Sequence, residues 1–159
     1  MRTMMIRLTA PALLALAVTA CGSDPFSPSE ESARQEALAR WQARPFANYS
    51  FEVRHDCNCT SENDQRLLHW HRVEVRAGLI SKIVRLDTSA EVPSEIFPLW
   101  LTIEGLFEKL RGPHPSRNVQ DIRAQYDATL GYPARADFIF TGILADATMS
   151  HFLRNVNPL

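Results

Sequence analysis

Apolar and polar positions repeat along this chain with two different periods, and the switches between them mark out the elements. Ala33, Ala37, Leu38 and Trp41 recur at intervals of three and four, which places them on one face of an α-helix. Ahead of them, Ser27 can cap, Pro28 suits the first helical position and Glu30 can close a capping box. The spacing predicts a helix to about Arg44, before Pro45. The segment Tyr49 to Arg54 then alternates with period two, a strand with Tyr49, Phe51 and Val53 toward the core. After a polar loop, Thr60 to Gln65, two more strands are predicted, Leu67 to Arg76 and Leu79 to Leu86, turning at Ala77-Gly78. In the first, Leu68, Trp70, Arg72, Glu74 and Arg76 share one face, and His69, His71, Val73 and Val75 share the other. The second alternates without a clear apolar side.

A Pro-containing connection, Asp87 to Leu101, leads back to helical spacing. Thr102 is the expected cap, Ile103, Leu106, Phe107 and Leu110 the buried stripe, and Gly112-Pro113 the stop. Val119 to Tyr126 and Ala134 to Phe140 read as a hairpin turned at Thr129 to Pro133, and Thr148 to Val156 as a last strand. The order is helix–strand–strand–strand, twice, with no strong internal sequence identity. Each helix has a single apolar stripe to bury, so the expected fold is α+β: an antiparallel sheet with two helices on one face.

The first twenty residues do not belong to this pattern. Arg2 and Arg7 precede an apolar run, Leu8 to Val18, too short to remain as a membrane-spanning helix and typical of a secretory signal. The run ends in Val18-Thr19-Ala20-Cys21, which resembles the lipobox of bacterial lipoproteins. That resemblance implies cleavage before Cys21 and acylation of its thiol; the plainer alternative is an ordinary signal cut after Ala20, with Cys21 a free thiol. The domain reading is a signal peptide over 1–20, a lipidated Ser- and Pro-containing tether over 21–29, and a single α+β domain over 30–159. Gly22 after Cys21 resembles the signal that lets lipoproteins of a Gram-negative host proceed to the periplasmic face of the outer membrane.

Composition narrows the partners. The chain has 17 basic and 18 acidic residues, and removing 1–20 takes two arginines and no acid, leaving a formal charge of −3. Such a balance argues against nucleic acid and against a polybasic membrane patch. The expected membrane contact is therefore the N-terminal lipid alone. With Cys21 assigned to lipid, Cys57 and Cys59 remain as an isolated pair in an oxidising compartment, bridged or free.

Several of these stretches together resemble a domain-of-unknown-function family of small bacterial secreted lipoproteins. The matching residues are Asn48-Tyr49-Ser50-Phe51, Cys57-Asn58-Cys59, Val73 to Gly78, Thr102-Ile103 with Leu106-Phe107, Tyr126-Asp127, Gly131-Tyr132-Pro133 and Asp137. The chain departs from that family in retaining only Asp146 of an acidic run, and in its His-Trp-His at 69–71. The resemblance implies no catalytic activity. The helix-plus-three-strand units are also similar to β-lactamase-inhibitor-type and outer-membrane-assembly lipoprotein folds, an analogy of architecture that cannot assign function.

Three constellations could carry chemistry. Cys57-Asn58-Cys59 would close a very small disulfide ring, either a thiol-exchange site or a bridge pinning a strand end. A redox pair more usually has the Cys-x-x-Cys spacing at a helix start, and no helix is predicted here. His55, Cys57, Cys59, His69 and His71 together offer imidazole and thiolate donors for Zn²⁺ or copper, although a disulfide would remove two of them. The preferred reading is no metal and no cofactor, since a His-x-His on an exposed sheet face is more often surface. Asp127, Gly131, Tyr132, Pro133 and Asp137 could pair carboxylates for acid–base work, but no histidine or nucleophile accompanies them, and turn chemistry is the simpler account. Trp41, Trp70, Trp100, Phe138 and Phe140 could form an exposed aromatic surface for a partner, but most are expected in the core, with Trp70 the best candidate for exposure. The expectation is a non-enzymatic, lipid-anchored envelope protein that binds an envelope partner or plays a structural role. The alternative is a metal- or thiol-active protein, and an inhibitor of a secreted hydrolase is a third reading on fold analogy alone.

Overall fold

The computed structural model describes residues 28–57, 66–111, 119–141 and 148–159. The elements are α1 (Pro28–Gln42), β1 (Tyr49–Cys57), β2 (His71–Arg76), β3 (Leu79–Arg85), a 3₁₀ turn (Ser94–Leu99), α2 (Ile103–Arg111), β4 (Val119–Tyr126), β5 (Pro133–Phe140) and β6 (Thr148–Pro158). The strands form one antiparallel sheet in the order β3-β2-β1-β6-β5-β4. Helix–strand–strand–strand thus recurs roughly as the sequence pattern predicts, with the 3₁₀ turn added. The two halves are not repeats in space, however. The two central strands are the first of one half, β1, and the last of the other, β6.

The core lies between one face of the sheet and both helices. Ala37 and Trp41 of α1 and Ile103, Leu106, Phe107 and Leu110 of α2 join Tyr49, Phe51, Val53, Val73, Val75, Ile83, Ile122 and Phe138 in a single buried cluster. Trp41 meets Tyr49 edge-to-face at 5.1 Å, and Phe107 stacks on Tyr126 at 6.0 Å. Glu104 locks the three elements together. Its carboxylate accepts hydrogen bonds from Trp41 Nε1 at 3.0 Å, Arg44 Nη2 at 2.7 Å and the Tyr49 hydroxyl. Burial and that carboxylate hold the Tyr49 hydroxyl in its protonated form, far above the usual phenol range.

Caps and turns follow their residues. Thr102 Oγ1 accepts from the Gly105 amide at 3.0 Å, closing the start of α2. The β2–β3 hairpin turns on Ala77 and Gly78, both at positive φ (50° and 78°), as a two-residue loop requires. Asp127 Oδ1 accepts from the amides of Thr129 and Leu130 (3.0 and 2.6 Å), and Gly131 supplies φ of 80°. The same glycine packs on α1: a Cβ there would lie 2.2 Å from the Ala37 carbonyl oxygen. Ser27 and Gly112-Pro113, read as helix boundaries, fall outside the described residues.

Three details depart from the periodicity reading. On α1 the buried position is Arg34, not Ala33, because the arginine's stem can cover apolar surface while its guanidinium reaches Glu31 at 2.6 Å. That bond holds the Glu31 carboxyl down at about 2. The second strand begins at His71, not Leu67, because pairing with β3 starts at His71 and Arg85. Lastly, Asp137 is not part of the turn. It lies in mid-β5, where Arg135 Nε (3.0 Å) and Ser150 Oγ (2.6 Å) donate to it.

Candidate functional site

The residues picked out for chemistry separate into different environments. Cys57 ends β1 opposite Met149 and is disulfide-bonded; Cys59 lies outside the described residues. His55 is on the core face of the same strand, directly across from His151 on β6, their rings 4.2 Å apart and edge-to-face. His151 Nε2 is 3.3 Å from Lys109 Nζ of α2, and that ammonium sits 4.7 Å over the Phe138 ring and 4.0 Å from Met149 Sδ. An ammonium can only donate, so Nε2 of His151 is the acceptor and the neutral ring carries its proton on Nδ1. Burial pushes the His151 imidazole well below its usual pKa, and the nearby His55 and Lys109 charges push the same way. Burial also lowers Lys109. His151 and Lys109 carried no local sequence signal, being separated from His55 by 96 and 54 positions along the chain.

His69 and His71 turn to different surroundings. His71 is the first residue of β2 and turns into the core, 2 % exposed, against Trp100 at 5.1 Å. Its Nδ1–H donates to the His69 carbonyl at 2.9 Å, and burial lowers its pKa. His69 precedes the strand and turns to Asp87, 3.2 Å from Nδ1, with Arg85 beside it. The reading of His-x-His as an exposed-face pair is therefore corrected: alternation applies only inside a strand, and the strand starts between the two. Among the described residues no three His, Cys, Asp or Glu side chains gather as a metal site.

The sheet face opposite the helices gathers what remains. Trp70 is half-buried under the Arg154 guanidinium, 3.9 Å from its ring, with Arg54 at 5.5 Å. Arg54 and Arg135 each lie 5.2 Å from the Phe152 ring, so aromatic and cationic groups alternate across β1, β6 and β5. Glu52 underlies them, buried, and accepts from Arg154 Nε at 2.8 Å and Asn155 Nδ2 at 3.0 Å. Burial works to raise its pKa, and the hydrogen bonds from Arg154, Asn155 and Arg72 outweigh it, leaving the carboxylate ionised below its ordinary range. Asn155 reaches Glu52 from a bulge at φ 52°, where β6 shifts register against β1. Trp41, Trp100 and Phe138 are core, Phe140 half-buried.

The fold and these surfaces define a small α+β domain: a six-stranded antiparallel sheet with helices packed on one face and, among the described residues, none on the other. The chain belongs to DUF6174, a family of unknown function whose model matches residues 33–158. No curated protein and no solved structure matches it. Among the described residues no helix is long and apolar enough to cross a membrane.

Proposed function

We propose that this protein is a lipid-anchored component of a bacterial cell envelope, held by acylated Cys21 and acting without catalysis as a binding or structural module. The anchor rests on the basic and apolar leader that ends in Val18-Thr19-Ala20-Cys21. After cleavage, the tether read over 21–29 would join the domain to the membrane, with outer-membrane placement in a Gram-negative host following from Gly22. Binding to another envelope protein would use the helix-free sheet face. The observation that carries this is the stack of Trp70, Phe152, Arg54, Arg135 and Arg154, large amphipathic groups held rigid on a sheet, the side chains that most often anchor protein interfaces. Pairing of Cys57 with Cys59 belongs to the same reading, as a pin on the end of β1.

Intact mass of protein extracted from membranes tests the anchor. A product beginning at Cys21 and carrying a diacylglycerol supports it, and Cys21→Ser should leave the protein without lipid. An unmodified product, or one retaining residues 1–20, refutes it. Crosslinking in intact cells tests the face: a partner captured by the native protein should be lost on Trp70→Ala or Phe152→Ala. Capture unaffected by either change refutes that surface.

A further inference from the structure

On the helix side of the sheet, against the segment 90–93, lies a cavity of about 220 Å³ lined by Arg66, His71, Arg85, Val92, Ile96 and Trp100, among others. Its wall is built into the sheet. The Val92 amide donates to the Ile83 carbonyl, Arg85 to Ala90 and Leu86 to Trp70, each at 2.9 Å. The apolar side is the indole of Trp100 with Ile96 and Val92. The polar side is an imidazole almost wholly out of water, its Nδ1–H committed to the His69 carbonyl, so that its remaining polar atom is Nε2, a hydrogen-bond acceptor in the neutral ring. Around the cavity, Arg85 is held by Asp87 at 2.6 Å and Glu91 faces Lys82 at 3.7 Å. Arg66 meets no hydrogen-bonding, ionic or aromatic partner among the described residues. One uncommitted guanidinium, one buried acceptor and an apolar wall therefore converge on one space. That space exceeds the roughly 150 Å³ that holds a benzene ring and falls short of the roughly 300 Å³ at which drug-sized sites begin.

We propose that this cavity is a binding site for a small amphipathic organic acid: a ring-sized apolar body against Trp100, Ile96 and Val92, a hydroxyl donating to Nε2 of His71, and a carboxylate meeting Arg66. The site is separate from the helix-free face and does not depend on the lipid anchor, so the two readings fail independently.

4-Hydroxyphenylacetate and tyramine test it, since they share a ring and a hydroxyl and differ in the sign of their charge. In titrations followed by amide and indole NMR signals, the acid should shift Val92, Ile96 and the Trp100 indole, and the amine should bind at least about tenfold more weakly, the worth of one charge-assisted hydrogen bond. Arg66→Gln, a change at an exposed side chain, should bring the two affinities together. Ile96→Trp should fill the space and abolish both while the spectrum of the sheet is preserved. Neither probe shifting these residues, shifts confined to other surfaces, or equal binding of acid and amine by the native protein would overturn the proposal.

Discussion

Glu104 joins α1, β1 and α2 through one carboxylate, and its replacement separates two kinds of cost. Its side chain is 43 % exposed, but the donors it receives are not: Trp41 and Tyr49 are fully buried and the Arg44 side chain is 13 % exposed. Glu104→Gln keeps an acceptor for Trp41 and Arg44 and loses the charge, which should cost about 1–2 kcal/mol. Glu104→Ala removes the acceptor but opens a path for water to the three donors, so the cost should be about 2–3 kcal/mol rather than the full sum. Glu104→Leu fills the same space with apolar atoms, excludes that water, and strands the three donors at about 1–3 kcal/mol each, for a total of about 3–9 kcal/mol. The lost interaction with the start of α2 is common to all three and cancels from their order. Urea unfolding followed by tryptophan fluorescence should rank stability as native, Gln, Ala, Leu. A Leu variant as stable as the Ala variant would refute the reasoning, because it would mean that those donors are already satisfied by something other than Glu104.

The remaining predictions use the same measurement. Gly131→Ala combines positive φ with a Cβ pressed against the α1 backbone and should cost about 3 kcal/mol or more, whereas Gly78→Ala, with open space around it, should cost about 1 kcal/mol; equal costs would show that α1 yields freely. His71 and His151 are held neutral by burial, while in the unfolded chain they take up protons near pH 6.5. The unfolded state then binds more protons, so stability is intact above about pH 6.5 and falls as pH drops below it, by up to about 1.4 kcal/mol per pH unit for each residue. His151→Gln, which keeps a polar side chain facing His55 and Lys109, should flatten that slope; an unchanged slope would mean His151 is not among the groups responsible. Asp127→Ala strips the acceptor from two turn amides and should cost about 1–2 kcal/mol without altering the β4–β5 register, checked by NMR amide patterns.

What the chain determined locally is what periodicity and turn chemistry can carry. The alternation at Tyr49, Phe51 and Val53 assigned the core face of β1, the 103–110 stripe assigned the buried side of α2, and Asp127 with Gly131 marked their turn, because each is a relation among residues a few positions apart. Tertiary structure alone decided the partners. Pairing of β1 with β6 brings Glu52 to Arg154 and His55 to His151 across about a hundred residues, and no local pattern distinguishes that edge from any other. It also decided which half of an ambiguous feature prevailed: Arg34 over Ala33 on α1, and His71 in the core with His69 at the rim. Periodicity states which side of an element is apolar; the energy of joining two such sides resides in contacts that exist only once the sheet has closed around its centre.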